Sequence, residues 1–306
     1  MTALQQAAPP TRPGRNRIGR RRRMLGLAFS LPAFALLVLF FIWPLLRTIW
    51  MSLSDWPLLG SSHFTGFDNY VQAFQDEQFL HAVGFTLLYT VVITPILLIL
   101  AFGLAFLVRR GTRAARAFQT VYFLPVVIGL ASGSYIWQFM WQSDIGPTTT
   151  LLGKFGILDP TRNFFAEFGS AFLIVVGMVT WKVVGLQMLL VLSGMQAIPE
   201  EVDEAAKIDG AGQWQSFWHI TVPLLRPTLA LVLVFSVAGS LLAFDQFYIM
   251  TVGGPSGSTL TAVYEIYRAG FVQFRVGYAS ALSILLMLVL GLVSAGQMLL
   301  LRNSDN

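Results

Sequence analysis

The sequence predicts an all-α protein that crosses a membrane with six helices. Its 306 residues are 55% hydrophobic and only 11% charged, whereas soluble domains carry roughly 25% charged residues. A helix needs about 20 apolar residues to cross the hydrocarbon core of a bilayer, and six such runs take up about half of the chain. The predicted spans lie at 24–46, 82–108, 117–141, 170–195, 228–252 and 276–301.

The first span has a second interpretation as a cleavable leader. An arginine-rich run at 12–23 precedes it, and Ala-Phe-Ala at 33–35 resembles the cleavage site of a twin-arginine signal peptide. However, the apolar run continues unbroken past this site to Leu46, which is bilayer length. We therefore expect a retained helix.

Positive charge predicts the orientation of the spans. If the N-terminus is cytoplasmic, fourteen of the twenty Lys and Arg lie in inner segments and five in outer ones, and the first outer loop, 48–81, has none. The positive-inside rule therefore predicts that both termini are cytoplasmic. Residues 1–23 are expected to be a basic, disordered N-terminus and 303–306 a short tail. Basic residues beside a span suit an anionic lipid leaflet, so nucleic acid is not an expected partner.

Several kinds of chemistry are excluded by residue types. The chain has no cysteine, which excludes disulfides, thiol nucleophiles and thiolate metal sites. Its three histidines, His63, His81 and His219, lack the spacing of metal ligands. It also lacks a Gly-x-x-x-x-Gly-Lys-Ser/Thr phosphate loop. We therefore predict no catalytic residue, no metal site and no cofactor in this chain.

The predicted inner segment 196–227 has the pattern of a docking element. Pro199 suits the first turn of a helix, and the acidic residues that follow it suit the positive end of the helix dipole. Gly210 can end this helix as a left-handed cap. A second short helix, roughly 213–221, carries aromatic residues and should stop at Pro223. Two short helices with aromatic side chains in a loop indicate a surface that contacts a partner.

This segment resembles the EAA loop of binding-protein-dependent ABC import permeases. The pattern is Glu-Ala-Ala at 204–206, three residues, Gly210, nine residues, and Ile-x-Val-Pro at 220–223. Valine at 222 replaces the usual leucine. Shorter motifs similar to the sugar-type subfamily, which includes maltose and glycerol-phosphate permeases, lie at 66–70, 181–182, 192–199, 244–245, 253–255 and 277–281.

The resemblance implies a six-helix type I importer fold in the cytoplasmic (inner) membrane. It implies a permease subunit that moves a sugar by alternating access. The implied partners are a second, non-identical permease subunit, an extracytoplasmic binding (lipo)protein, and two ATPase subunits that bind ATP and Mg²⁺. The loop and its aromatic residues give the predicted ATPase-coupling set: Glu204, Ala205, Ala206, Asp209, Gly210, Trp214, Phe217, Trp218, Ile220 and Pro223.

Two charged residues lie within predicted spans, where charge is costly. Lys182 and Asp245 lie roughly 18 and 10 Å from the outer ends of their spans. They either line the translocation path or serve as a buried pair or polar anchors. Phe244, Phe247 and Tyr248 flank the carboxylate. Their rings could stack on a sugar whose hydroxyls donate to Asp245.

Three alternatives remain. The same machinery could carry a glycerol-phosphate-type substrate. A membrane-embedded enzyme would need an acidic or histidine cluster at a membrane face, and no loop outside the EAA segment supplies one. A secondary transporter often contains internal repeats, and none is detected in this sequence.

Overall fold

The computed structural model describes residues 26, 29–57, 60–109 and 111–302. The predicted basic N-terminus and the C-terminal tail lie outside the described residues. The chain forms two compact units, Met1–Trp50 and Met51–Asn306.

The first unit contributes most of helix α1, Phe29–Ser52. This helix includes a π-helical turn, Val38–Ile42. Its 24 residues correspond to about 36 Å at the rise of an α-helix. That length suffices for a hydrocarbon core of about 30 Å.

The second unit contains one short antiparallel strand pair, β1 (Ser54–Asp55) with β2 (His63–Phe64). Two π-helical turns, Phe247–Thr251 and Arg268–Val272, accompany its helices. The helices are α2 Asp68–Gln75, α3 Glu77–Val108, α4 Arg113–Val127, α5 Leu130–Met140, α6 Pro147–Lys154, α7 Phe168–Gln196, α8 Glu200–Ile208, α9 (Gln213–Ser216, Phe217–Thr221 and Val222–Leu224 in succession), α10 Arg226–Leu241, α11 Ala262–Tyr267 and α12 Val276–Arg302.

Four helices in the described part of the chain are long and apolar enough to cross a membrane, namely α1, α3, α7 and α12. Two bent helix pairs bring the number to six if each pair counts as one span. These pairs are α4 with α5, bent by 99°, and α9 with α10, bent by 68°.

The third predicted span, 117–141, is not one continuous helix. The backbone leaves the helical conformation at Ile128 and Gly129, where ψ is 133° and 146°. Pro125 lies in the last turn of α4 and has no N–H to donate to the preceding turn. The single span predicted over 117–141 is therefore two helices that meet at a sharp bend.

The fifth predicted span, 228–252, is also interrupted. Helix α10 ends at Leu241, and a helical turn resumes only at 245. The carbonyl of Ala243, freed by this break, accepts a hydrogen bond from the Thr261 hydroxyl at 2.7 Å. A tertiary contact thus satisfies a carbonyl that an unbroken helix would satisfy by itself. A helix can break within a membrane only where the freed backbone groups find such partners.

The segment 142–169, between the third and fourth predicted spans, contains one short helix among its described residues, α6. Gly146 precedes α6, and Pro147 occupies its first turn, where the missing N–H has no cost. The several glycines and prolines of this segment therefore mark the ends of a short helix as well as turns.

Helix α3 is the centre of the second unit and contacts α2, α4, α7, α10 and α11. Close approach of the neighbouring helices α4 and α7 depends on one glycine. A Cβ at Gly185 would lie 1.9 Å from the carbonyl oxygen of Tyr122, so any larger residue would force α7 away from α4.

The beginnings of α3 and α12 lie at the same end of the bundle. The Tyr278 hydroxyl donates to Oδ2 of Asp76 at 2.7 Å, and Arg275 donates to Oε1 of Gln72 at 2.7 Å. These two helices are therefore parallel. The last turns of α3 lie at the opposite end, together with α8 and α9.

Candidate functional site

The first short helix of the segment 196–227, α8, ends as the sequence predicts. Gly210 has a φ of +77°, and the N–H of Ala211 donates to the carbonyl of Ala206 at 2.9 Å. A left-handed glycine with this six-residue hydrogen bond is a Schellman cap. A Cβ added at Gly210 would meet no atom of the described residues within 4 Å. The backbone conformation, not lack of space, therefore requires glycine there.

Helix α8 presents only part of its predicted contact surface. Glu204, Ala205 and Asp209 are exposed, whereas Ala206 is 5% exposed and lies inside the chain. Ile208, which the sequence analysis did not select, is 85% exposed. An apolar residue at the end of a polar helix was the available signal for it.

The second short helix, α9, is longer than predicted. It passes through the π-helical turn Phe217–Thr221, includes Pro223 and ends at Leu224. The chain then bends by 68° into α10. Ile220 and Pro223 are half-buried. The proline therefore marks the bend that follows and does not stop the helix.

The aromatic residues of α9 divide into one inner and two outer side chains. The Phe217 ring packs edge to face against Phe102 and Phe106 of α3, with centroids 5.2 and 5.6 Å apart. Trp214 and Trp218 flank this ring and are 76% and 59% exposed. Phe217 was predicted to contact a partner together with the tryptophans, but its ring is engaged within the chain.

Lys182 lies beside the break between α4 and α5. Its Nζ donates to the carbonyl oxygen of Val126 at 3.0 Å. The last carbonyls of a helix lack partners within the helix, and a cation is favoured at this negative end. Among the described residues Lys182 forms no ion pair with Asp245. The structure therefore supports the polar-anchor alternative for Lys182 and gives no support to a buried pair.

Asp245 lies at the start of the short helical turn that follows the break after α10. Its side chain is half-buried and makes no hydrogen bond or ion pair to another residue that the structure describes. A carboxylate in this position suits a cavity-facing role.

The three aromatic residues beside Asp245 do not all lie on the same side of the chain segment that carries them. Phe244 and Tyr248 stack with centroids 5.1 Å apart and planes 21° apart. Phe247 is fully buried and packs edge to face on Phe85 and Tyr89 at 5.1 and 5.0 Å. Phe247 therefore belongs to the core, which corrects its selection as a path residue.

Phe244 and Tyr248 belong to a larger aromatic patch that the sequence analysis missed. Tyr264 lies 5.8 Å from Phe244, Tyr267 lies 5.3 Å from Tyr248, and Phe271 stacks on Tyr267 at 5.4 Å. We call these five residues the aromatic patch. The spacing 264, 267 and 271 places three rings on one side of a helix, and this periodicity was the signal that could have identified them.

The chain matches a known transport family over most of its length. A family model described as "Binding-protein-dependent transport system inner membrane component" matches residues 74–303. The sn-glycerol-3-phosphate transport system permease protein UgpA of Yersinia pestis bv. Antiqua (strain Antiqua) is 34% identical over 267 residues, which are 86% of this chain and 89% of the relative. The protein of the same name from Pectobacterium atrosepticum is 33% identical over 277 residues, which are 89% of this chain and 92% of that relative.

The fold also matches a solved structure. A bacterial ABC transporter "involved in the import of the acidic polysaccharide alginate" contains a chain that superposes with a TM-score of 0.82. The match covers 94% of this chain and 98% of the other, at 23% identity. The predicted type I permease fold is therefore confirmed. Together with the family match, these findings show that the chain belongs to the family of binding-protein-dependent transport system inner membrane components and is a multi-pass permease subunit of an ABC importer.

Proposed function

We propose that this permease imports a carbohydrate and is driven by ATPase subunits that contact α8 and α9. The exposed Trp214 and Trp218 on a helix anchored to α3 carry this proposal. Large aromatic side chains supply much of the binding energy at protein interfaces. Phe217 packs between these tryptophans and α3, so a displacement of α9 would be transmitted to the membrane helices.

The proposed assembly supplies what this chain lacks. Two ATPase subunits bind ATP and Mg²⁺, because this sequence has no phosphate loop. A second, non-identical permease completes the path, and an extracytoplasmic binding protein delivers the cargo. The alginate importer has been solved in complex with a pentasaccharide-bound periplasmic protein, which supports this last partner.

Charge in the proposed path favours a carbohydrate over the alternative cargo, glycerol phosphate. The names of the relatives favour glycerol phosphate. However, the Asp245 carboxylate has no partner among the described residues, and the Lys182 ammonium is engaged by Val126. An unpaired carboxylate repels a phosphate but accepts hydrogen bonds from sugar hydroxyls. The rings of Phe244 and Tyr248 provide a stacking surface beside it.

The proposed orientation places α8 and α9 on the cytoplasmic side of the inner membrane. Because the native chain has no cysteine, Ser62→Cys and Arg113→Cys can be labelled singly in intact cells. A membrane-impermeant maleimide should label position 62 and not position 113. Labelling of position 113 alone would show that the orientation is reversed.

The coupling role is tested at Gly210. Valine in a left-handed conformation costs about 1–2 kcal/mol, so Gly210→Val should reorient α9 and lower ATPase co-purification roughly 5- to 30-fold. Uptake should be lost while abundance in the membrane stays normal. Gly212→Val is the matched control, since Gly212 also has open space around it but no positive φ. If Gly210→Val co-purifies and transports like wild type, this loop is not the coupling element.

A further inference from the structure

We propose that a polar cleft beside the turn Phe247–Thr251 is a second carbohydrate subsite, which takes an uncharged, hydroxylated ring in preference to a phosphate. The inference rests on the proposed function, because its ligand is the carbohydrate that the importer carries. The subsite is separate from the aromatic patch and from Lys182.

The cleft lies at the end of the bundle opposite α8 and α9. It has a volume of about 530 Å³, which is within the usual range for small-molecule sites, about 300–1,000 Å³. The end of α5, the chain just before α7 and the end of the 247–251 turn enclose it. The polar and aromatic side chains that line it are Gln138, Gln142, Ser143, Asn163, Phe165 and Thr251.

The amides of the cleft are held so that both donors and acceptors remain for a ligand. Nε2 of Gln138 donates to the carbonyl of Ile249 at 2.8 Å, which leaves Oε1 to accept. Oδ1 of Asn163 accepts the N–H of Phe165 at 3.0 Å, which leaves the amide NH₂ to donate. The Gln142 side chain makes no hydrogen bond to another described residue. A hydroxyl both donates and accepts, so this lining matches a polyol.

Phe165 adds an apolar surface to these polar groups. Its ring is half-buried at the side of the cleft, and the hydrogen bond to Asn163 fixes its backbone. An aromatic ring beside amide groups can contact the C–H face of a sugar while the amides bind the hydroxyls.

The cleft offers no cation to a phosphate. None of the described residues that line it is Lys or Arg. Arg162 is adjacent in sequence to Asn163, but its guanidinium pairs with Glu167 and lies over the Phe164 ring. Phosphate recognition relies on charge-assisted hydrogen bonds from Arg or Lys, so an uncharged ligand is favoured.

The position of the cleft suits the entrance of the path. Val252 lines it, and Asp245 lies seven residues earlier along the same short helical segment, about 10 Å at helical rise. A saccharide of more than one ring could therefore contact the cleft before it reaches the aromatic patch.

The test uses the full importer, assembled with its partner subunits in nanodiscs and without the binding protein. Saturation-transfer NMR would measure binding of four probes: maltotriose, cellotriose, xylotriose and sn-glycerol 3-phosphate. Gln142→Ala/Asn163→Ala changes two exposed side chains and should raise the Kd of at least one neutral probe about tenfold, because two hydrogen bonds are lost. Gln75→Ala/Gln78→Ala removes two exposed amides elsewhere and should leave the Kd unchanged.

Two further measurements complete the test. Gln142→Lys should increase binding of sn-glycerol 3-phosphate severalfold by adding a cation. The subsite is excluded if no neutral probe depends on Gln142 and Asn163, or if the wild-type cleft binds the phosphate as tightly as a sugar. Wild-type uptake of the probes into proteoliposomes is measured in parallel, with the binding protein added. If a neutral probe is taken up but its Kd does not change in Gln142→Ala/Asn163→Ala, the subsite is wrong and the proposed function stands. If the wild type takes up none of the probes, the proposed function itself fails.

Discussion

Two π-helical turns, Phe217–Thr221 and Phe247–Thr251, flank helix α10. Both contact α3 in the same way, but one turn is buried and the other lies at the surface. Each begins with a phenylalanine that packs edge to face against two aromatic side chains of α3. These α3 partners are Phe102 and Phe106 for the first turn, and Phe85 and Tyr89 for the second. The two contact points are seventeen residues apart along α3, about 25 Å.

The two turns differ in exposure. Phe247 is fully buried, whereas Phe217 is half-buried between two exposed tryptophans. A fully enclosed ring fixes the packing of the bundle, and a half-enclosed ring at the surface can transmit the movement of a partner. Widened helical turns are frequent at functional sites, and these two separate a stabilising role from the proposed coupling role.

The largest effect on stability is expected at the buried turn. Phe247→Ala removes a ring enclosed by Phe85 and Tyr89, so it should lower the free energy of unfolding by about 3–5 kcal/mol. The melting temperature of the purified permease in detergent measures this. Phe247→Leu keeps most of the buried volume and is the control. Its free energy of unfolding should fall clearly less. An alanine variant that melts with the wild type would refute the core assignment of Phe247.

At the turn Phe217–Thr221 we expect a smaller effect on stability and a larger effect on transport. Phe217→Ala removes a half-buried ring and should cost about 1–2 kcal/mol, within the range for typical destabilising substitutions. Because the link between α9 and α3 is weakened, ATP hydrolysis by the assembled importer should continue while uptake per ATP falls. Both rates are measured in proteoliposomes. If Phe217→Ala destabilises the permease more than Phe247→Ala, the comparison between the two turns is reversed.

The smallest stability effect is expected for the outer tryptophans. Trp214→Ala/Trp218→Ala changes exposed side chains and should alter the free energy of unfolding by about 0.5 kcal/mol or less per site. Co-purification of the ATPase subunits should nevertheless fall severalfold, since exposed aromatic anchors act at interfaces. Unchanged co-purification would mean that α9 does not contact the ATPase through these residues.

The local pattern of the sequence predicted the local structure of the EAA segment. Charge, proline and glycine act over a few residues, so the start of α8 and the left-handed cap at Gly210 could be predicted from their neighbours alone. The same holds for the locations of the apolar runs. The family resemblance on the EAA pattern also held, because its residues lie within one short segment.

The side of each span that is buried could not be predicted in this way. Apolar residues surround α3 and α7 on every side, because lipid and protein interior are both apolar, so no stripe marks the packed side. Only the tertiary structure decided that Phe247 and Phe217 turn toward α3, and that Tyr264 and Tyr267 join the aromatic patch.

Composition and the apolar runs thus determined, from the sequence alone, that this is a multi-pass membrane protein, and the EAA pattern located its proposed coupling loop. The tertiary structure decided where the spans break and which groups satisfy the broken ends. Lys182 meets the Val126 carbonyl, and Thr261 meets that of Ala243. Each partner comes from a distant part of the chain. A backbone break inside a membrane is tolerated only where such a partner exists, and a partner distant in sequence leaves no local pattern.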